Sequence, residues 1–398
     1  MVGGNMTGPF WGLYVLYLGG SPFHIGLISA VSSIVGLLPH LVGGYLADVF
    51  SRKKLVYGFQ LLMALNGIIY IFAPSWEWLL LARSNESLIS GLRNPAFGAF
   101  LADSTKAERR AMDYALWNSV PPLISLVSPF MIGLLMDMYG ILPAQRLAYV
   151  ILMVVSTVSA LIRYRYLEDT SEAGQKSRLS LLTVVRGTWR DLVETIRMFS
   201  QHVWILILLG CLYQFAVSVA SVFAVTYAVE DVIHVTSLDW GLVTTVSTVI
   251  VIVSSIPLAW VVDRYSRRNI ILVSLFASPL AVLGFTYSTG LTQVMVFFGV
   301  LTLLGNMGGI ASQALFTDYF PMRHRGRINA LMGVIGSTQN FSILMMGGGL
   351  VGSMGNVVGG ILYDRVSYSS PFIAMAVAFA ATALLSLIYM KEPLRPET

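Results

Sequence analysis

The sequence is poor in charge and almost devoid of cysteine. Only 11% of its 398 residues are Asp, Glu, Lys or Arg, whereas a soluble domain carries about 25%, so too few charges are present to cover a water-soluble protein of this size. The single cysteine, Cys211, excludes a disulfide framework and a cysteine-based metal site. Apolar residues make up 56%, and the mean hydropathy is +0.74. This balance indicates an integral membrane protein.

The sequence also lacks the motifs of several functional classes. It has no glycine-rich phosphate loop ending in Lys-Ser or Lys-Thr, so ATP-driven transport is not supported. The five histidines do not have the spacing of a metal site. We therefore expect no enzymatic activity, no cofactor and no metal. The net charge of +5 is better explained by loops beside a membrane than by nucleic-acid binding.

Long apolar runs predict an all-α membrane protein with twelve transmembrane helices. A helix needs about 20 apolar residues to cross about 30 Å of hydrocarbon. The predicted spans are residues 3–19, 24–48, 54–73, 77–102, 112–137, 146–166, 203–229, 240–262, 269–288, 292–317, 328–362 and 371–390.

The basic residues predict the orientation of these spans. Of the 25 lysines and arginines, all but Arg83, Arg93, Arg146 and Arg365 fall in loops or a tail on one side of the membrane. Because cytoplasmic loops carry an excess of Lys and Arg, this side is predicted to be cytoplasmic. Both termini are then cytoplasmic, and the predicted location is the cell membrane.

Two loops of the sequence repeat at a fixed spacing. Asp48 and Arg52, which follow the second span, recur as Asp263 and Arg267 after the eighth, an offset of 215 residues. The same offset aligns an acid and an arginine in a second pair of loops. One shift that aligns two separate loops indicates two homologous halves of six helices each.

The repeat divides the chain into three parts. Residues 1–166 and 203–398 are predicted to be six-helix bundles, and 167–202 to be a cytoplasmic linker. Within the linker, residues 181–199 place apolar side chains at helical spacing, with arginines elsewhere around the helix. This pattern predicts an amphipathic helix on the membrane surface.

Beyond the fifth span the offset of the repeat changes. Gly133 and Asp137 match Gly360 and Asp364 at an offset of 227 residues. The additional residues therefore belong to the eleventh predicted span, 328–362, which is too long for one simple crossing. Its many glycines predict a break or kink.

The repeated loops resemble a known signature. Residues 44–53 read GYLADVFSRK and residues 259–268 read AWVVDRYSRR. Both resemble the loop 2–3 signature of the major facilitator superfamily, Gly-x-Leu-Ala-Asp-Arg-x-Gly-Arg-Arg/Lys, with Ser51 and Ser266 in place of its second glycine. The resemblance covers the whole chain. It implies a fold of two pseudo-symmetric six-helix bundles and a secondary transporter that works by alternating access.

The acids of these loops admit two interpretations. An acid at a helix end beside arginines can pair across a helix junction in one conformation and release in another, which would form a gate. Alternatively, the charges only set topology, although acids contribute little to topology. The resemblance implies the gating role, with the Asp restraining the outward-open state. The predicted gating residues are Asp48, Arg52, Arg109, Arg110, Asp263, Arg267, Arg268 and Arg325.

The fourth span carries three ionisable side chains on one helical face, Arg83, Glu86 and Arg93. Such groups are costly in hydrocarbon and point into the bundle or a wet cavity. At 1.5 Å per residue from Trp76, Glu86 lies about 15 Å deep, near the midplane. We predict that Glu86 couples transport to protons, with Arg83 and Arg93 as its partners. Two alternatives stay open: a permanently ionised cluster that packs the helix, and a pair of arginines that binds an anionic substrate.

Part of this region resembles proton-coupled drug antiporters. Arg83, twelve residues before Pro95, is similar to the arginine of their helix 4 motif, although these antiporters have Gln at the position of Glu86. Their helix 5 signature has a Gly-Pro-x-x-Gly-Gly core, of which this chain retains Pro129 and Gly133. The resemblance to antiporters is therefore partial, and import is not excluded.

Other polar residues are candidates for the wall of a substrate cavity. In the superfamily that the chain resembles, helices 1, 4, 7 and 10 line the central cavity. For any single residue, hydrogen bonding between helices is at least as good an explanation as substrate contact. The predicted cavity residues are Tyr14, Asn94, Gln214, Asn306 and Gln313.

These features together predict a monomeric secondary transporter that moves a small organic molecule by proton-coupled efflux. Its partners are then the substrate, protons and the lipid bilayer. The alternatives are a proton symporter or facilitator for uptake of a sugar, an organic anion or a peptide, and an amphiphile or lipid transporter. A membrane receptor or scaffold without flux is disfavoured by the paired gate loops.

Overall fold

The computed structural model describes residues 6–104, 120, 123–167, 201–319 and 349–391. Within these ranges the chain forms helices joined by turns and contains no β-strand. The helices of the first half are α1 (Trp11–Tyr17), α2 (Pro22–Val49), α3 (Arg52–Phe72), α4 (Trp76–Ser104), α5 (Ser128–Tyr139) and α6 (Ile141–Tyr166). Those of the second half are α7 (Gln201–Ala220), α8 (Ser237–Arg264), α9 (Arg267–Thr286), α10 (Leu291–Tyr319), α11 (Gly349–Arg365) and α12 (Ser370–Tyr389).

The predicted fold class, an all-α membrane protein of twelve helices, is confirmed. Seven of the described helices are long and apolar enough to cross a bilayer. The helix α4 is not among these seven. It is 29 residues long, but the predicted charged cluster midway along it lowers its hydropathy. Most bounds agree with the predicted spans within a few residues. Larger differences occur at α1, which begins at Trp11 rather than 3, and at α7, which ends at Ala220 rather than 229 and is followed by short helical turns as far as Asp231. The helix α6 begins at Ile141 rather than 146, because Gly140 turns the chain with a φ of 89° and the next helix starts at once.

Three predicted features lie wholly or partly outside the described residues. These are the amphipathic linker helix at 181–199, the first part of the eleventh span, 328–348, and residues 112–119 of the fifth span. The described part of that span, α11, is 17 residues long.

The two serines that replace the signature glycine have a local role. The side chain of Ser51 accepts a hydrogen bond from the backbone N–H of Lys54 at 3.2 Å, and that of Ser266 accepts one from Asn269 at 3.3 Å. Each serine is therefore the N-cap of the next helix, α3 or α9, and satisfies a backbone donor that has no partner within the helix. The same cap in both halves supports the internal repeat.

The helices pack in a pattern that the repeat explains. Within the first half, α2 packs on α4 and α3 packs on α6; within the second, α8 packs on α10 and α9 packs on α12. The main contacts between the halves are α2 with α11 and α5 with α8. Replacing each helix by its equivalent in the other half, α2 by α8 and α11 by α5, converts one of these pairs into the other, as a pseudo-twofold axis requires.

Each half also has a buried tyrosine in its first predicted span, Tyr14 in 3–19 and Tyr227 in 203–229. Tyr14 donates a hydrogen bond to the backbone carbonyl of Tyr70 near the end of α3. In the second half, Tyr227 donates one to the carbonyl of Thr286 at the end of α9, over 2.7 Å. A short 3-10 turn precedes each tyrosine, at Gly8–Phe10 and Ser221–Phe223. The pseudo-symmetry therefore extends to single hydrogen bonds.

Candidate functional site

The helix α4 has an exposed apolar strip and a half-buried charged strip. Leu81 and Leu88 are 48% and 40% exposed and form an apolar strip. The side chains of Arg83 and Glu86 are 31% and 34% exposed, and they lie about 140–160° away around the helix at 3.6 residues per turn. An apolar strip suits lipid, whereas charged groups in a membrane face the bundle interior or a wet cavity. The charged strip is therefore the part of α4 that is suited to line an aqueous path.

Glu86 is held by two donors. Arg83 Nη1 lies 2.9 Å from Glu86 Oε2, and the Tyr70 hydroxyl donates to the same oxygen over 2.7 Å. The Arg83 guanidinium also lies over the ring of Trp11, 5.5 Å from its centroid. Both bonds of Glu86 suit a carboxylate acceptor, and a proton on that oxygen would compete with them. The arrangement can therefore link protonation of Glu86 to release of Arg83 and Tyr70.

Tyr70 is held in place by other aromatic rings. Its ring stacks on Tyr149 of α6, with centroids 4.4 Å apart and planes 2° apart. Trp11 packs edge-on against it at 6.1 Å. The predicted cavity residue Tyr14 is fully buried in this cluster and binds the Tyr70 carbonyl. In this conformation Tyr14 therefore supports the partner of Glu86 and does not face open space.

The structure separates Arg93 from the ion pair. Arg93 Nη1 donates to Gln60 Oε1 of α3 over 2.8 Å, and its Nη2 donates to Asn94 Oδ1 over 3.3 Å. Asn94 is exposed. The guanidinium of Arg93 thus binds neutral amide oxygens. Among the described arginines, Arg83 alone lies within ion-pair distance of Glu86.

The predicted cavity residues of the second half have mixed environments. Gln214 is buried and donates to Ser218 of its own helix over 3.2 Å, whereas Gln313 is exposed on α10. Asn306 donates to Ser254 Oγ over 2.9 Å and so joins α10 to α8. Beside this contact, α8 and α10 line a groove of about 470 Å³ with apolar walls. Asn306 therefore has a demonstrable packing role in this conformation.

We expect the Asn306→Leu variant to lower stability by about 1 kcal/mol, because Asn306 also lies within 3.3 Å of Ser255 Oγ and of the Val251 carbonyl. Thermal unfolding in detergent would measure the change. Thr302→Val is the matched control, since Thr302 lies one turn earlier and its hydroxyl binds, within the described part of the chain, only the carbonyl of Phe298 in its own helix. An unchanged melting temperature for Asn306→Leu would contradict the packing role.

The predicted gating residues are only partly described. Asp263 is exposed on the last turn of α8. Arg267 donates to the Ala314 carbonyl of α10 over 3.2 Å, and Arg268 donates to the Leu387 carbonyl of α12 over 2.7 Å. Asp48 and Arg52 lie on described helix ends, but their side chains fall outside the described part, as do Arg109, Arg110 and Arg325 altogether.

Sequence reasoning missed Tyr70, Tyr149 and Gln60. All three lie on apolar helices, α3 and α6, where a single polar tip gives no distinctive pattern. Tyr70 and Glu86 are 16 residues apart on two antiparallel helices, and only the packing of those helices brings them together. No signal in the sequence alone would have selected these residues.

Comparison with known proteins gives a consistent family. A profile of the Major Facilitator Superfamily matches residues 1–338 and 206–398. The uncharacterized MFS-type transporter YqjV of Bacillus subtilis is 23% identical over 96% of this chain and 87% of that protein. The class H tetracycline resistance protein of Pasteurella multocida is 28% identical, but over only 34% of this chain and 30% of that protein.

Solved structures show the same fold. The nucleoside transporter NupG superposes with a TM-score of 0.72, covering 98% of this chain and 97% of that one, at 14% identity. The peptide transporter POT superposes with a TM-score of 0.66 over 98% of this chain and 90% of that one, at 15% identity. At these identities the likeness establishes the fold alone.

Proposed function

We propose that this chain, which belongs to the major facilitator superfamily, exports a small organic molecule in exchange for protons. Its membership makes it a multi-pass membrane transporter and not an enzyme. The proposal adds the coupling ion and the direction of transport. It also includes the orientation predicted from the sequence, with both termini on the cytoplasmic side of the cell membrane. The protein is proposed to be a monomer.

The ion pair on α4 is the observation that carries the proposal. Glu86 lies in the middle of a spanning helix. Its carboxylate accepts hydrogen bonds from both the Arg83 guanidinium and the Tyr70 hydroxyl. Glu86 stands on the charged strip of α4, opposite the apolar strip, and its side chain is 34% exposed. Proton binding would weaken its bonds to Arg83 and Tyr70, and proton release would restore them. This exchange supplies the chemistry that a proton-coupled step needs.

Export is supported by two weaker observations. The partial similarity to a tetracycline resistance protein is one. The retained Pro129 and Gly133 of the helix 5 antiporter signature are the other. The apolar groove between α8 and α10 would suit the apolar part of such a substrate.

Uptake of an organic anion is the second candidate, and Arg93 favours it. Its guanidinium contacts the neutral oxygens of Gln60 and Asn94. A substrate carboxylate would be a stronger acceptor for that guanidinium than either amide. In this version Arg93 binds the substrate and Glu86 still carries the proton.

Flux measurements in proteoliposomes test both versions. Purified protein is reconstituted in vesicles with an imposed pH gradient, and ethidium, tetracycline and carboxyfluorescein serve as probes. Accumulation driven by an acidic lumen indicates exchange, whereas accumulation driven by an acidic exterior indicates symport. Protein-free vesicles and a protonophore correct for passive distribution of the probes. Protein-dependent flux that does not change with the pH gradient would contradict proton coupling.

A further inference from the structure

The two halves meet closely at one end of the bundle, where α2 and α8 begin and α5 and α11 end. We name this the closed end. Asp364 of α11 accepts a hydrogen bond from the Ser21 hydroxyl at 2.8 Å and one from the backbone N–H of Phe23 at 3.1 Å. Asp137 of α5 accepts from the backbone N–H groups of Ser237 at 3.1 Å and Leu238 at 3.2 Å. Each acid thus binds the first turn of a helix in the opposite half.

The two contacts are copies of one motif. Asp137 follows Gly133 by four residues, and Asp364 follows Gly360 by four residues, so each pair shares a helical face. A Cβ atom at Gly133 would overlap the carbonyl oxygen of Ser237, and one at Gly360 would lie 3.0 Å from the Phe23 Cα. The glycine therefore allows the opposing helix to approach, and the acid one turn later binds its start.

Neither helix needs the opposing acid in order to fold. The helix α8 has its own capping box, in which Thr236 and Asp239 bind each other's backbone N–H groups at 3.1 Å. The helix α2 has a similar local cap, with the Ser21 N–H bound to His24 Nδ1 at 2.9 Å. The contacts of Asp137 and Asp364 can therefore break without unravelling either helix.

The contacts also suit a reversible role. Both acids are exposed, and a negative charge near an exposed helix N-terminus contributes only modest stabilisation. Between the same halves, Asn356 is fully buried, and its side-chain amide has no hydrogen-bond partner among the described residues. Its own carbonyl lies against Gly26 of α2. Separation of α2 from α11 would hydrate that amide, so the closed arrangement includes a cost that opening would remove.

We infer that Asp137 and Asp364 are paired latches that hold the closed end shut by binding the helix starts of the opposite half. This inference rests on the alternating access in the proposed function, and not on the identity of the substrate or the coupling ion. The sequence-based orientation places the closed end on the outer side. The latches would then lie on the opposite side of the membrane from the predicted gate loops.

Thiol accessibility at the closed end tests the latches. Cys211 is first replaced by serine, and Ser237→Cys then places a single reporter at a position that is 5% exposed. Its rate of modification by a maleimide is measured in detergent for the full chain. Asp137→Asn and Asp364→Asn keep the shape and remove the charge. We expect each to raise the rate about 2- to 5-fold, and the double variant to raise it about 4- to 25-fold.

Asp231→Asn is the matched control, because Asp231 lies at the same end and accepts a hydrogen bond from Tyr363 of its own half. It should leave the modification rate unchanged. An unchanged rate in the double variant, or an equal rise in Asp231→Asn, would overturn the inference. Thermal unfolding identifies a variant that has simply lost its fold, in which case Asp364→Asn alone and Asp137→Asn alone are compared. Since no substrate or proton gradient is used, failure here is separable from failure of the proposed function.

Discussion

The Glu86→Gln variant is expected to lose gradient-driven flux by about tenfold or more while it still binds substrate. Glutamine keeps the shape of the side chain but cannot take up and release a proton. Flux in proteoliposomes measures the first effect, and equilibrium binding of the same probe measures the second. Substrate exchange without a pH gradient should persist, because it requires no net proton movement.

The fold of this variant is expected to survive. Removing one partner of a fully buried ion pair costs about 3–5 kcal/mol, but Arg83 and Glu86 are 31% and 34% exposed, so solvent reduces that cost. Tyr70→Phe is the graded companion variant, because it removes one donor to Glu86 and leaves the carboxyl group. We expect it to lower flux about fivefold, in line with about 1 kcal/mol for one hydrogen bond. Wild-type gradient-driven flux in Glu86→Gln would end the coupling hypothesis.

The Gly26→Val variant is expected to prevent the closed end from closing. A Cβ at Gly26 would overlap the carbonyl oxygen of Asn356 in α11 and lie 3.4 Å from Phe223 Cζ. Overpacking of this kind costs about 1–3 kcal/mol, which shifts a two-state equilibrium about 5- to 150-fold. The Ser237→Cys reporter should then react faster, and transport should fall because one of the two alternating states is lost.

Two other glycines separate this effect from general damage. An added Cβ at Gly58 in α3 would have no atom within 4 Å. The Gly58→Ala variant should therefore change neither the modification rate of the reporter nor transport. A Cβ at Gly359 would overlap the carbonyl of Val219 within the same half, so Gly359→Val should lower the melting temperature instead. Normal transport by Gly26→Val with an unreactive reporter would show that the closed end can close without the tight approach of α2 to α11 at Gly26.

The helices were largely predictable from the sequence, because hydropathy acts over about twenty consecutive residues and needs no knowledge of neighbours. The bounds of α9 and α12 differ from the predicted spans by only one or two residues. The predicted span 146–166 missed the start of α6, which begins at Ile141 directly after the turn at Gly140. Arg146 lies inside this helix, and its Nη2 donates a hydrogen bond to the Ala73 carbonyl over 3.0 Å. Such a partner is supplied by the tertiary structure and is not visible in the apolar pattern.

The candidate site was predictable only in part. A helical wheel placed Arg83, Glu86 and Arg93 on one face, since side chains three and seven residues apart share a face of a helix. It did not indicate that Arg93 binds Gln60 while Tyr70 binds Glu86. Those pairings depend on how α3 crosses α4, which the pattern within one helix does not determine.

The sequence by itself determined the apolar spans, the side on which the basic residues lie and the internal repeat, because each is a local or periodic property of the chain. Only the tertiary structure decided that Asp137 and Asp364 bind the helix starts of the opposite halves, 100 and 341 residues away. A carboxylate at a helix end looks like any solvated acid until the helix that offers its free N–H groups is in place. The crossing of packed helices sets that placement, and it is a property of the whole bundle.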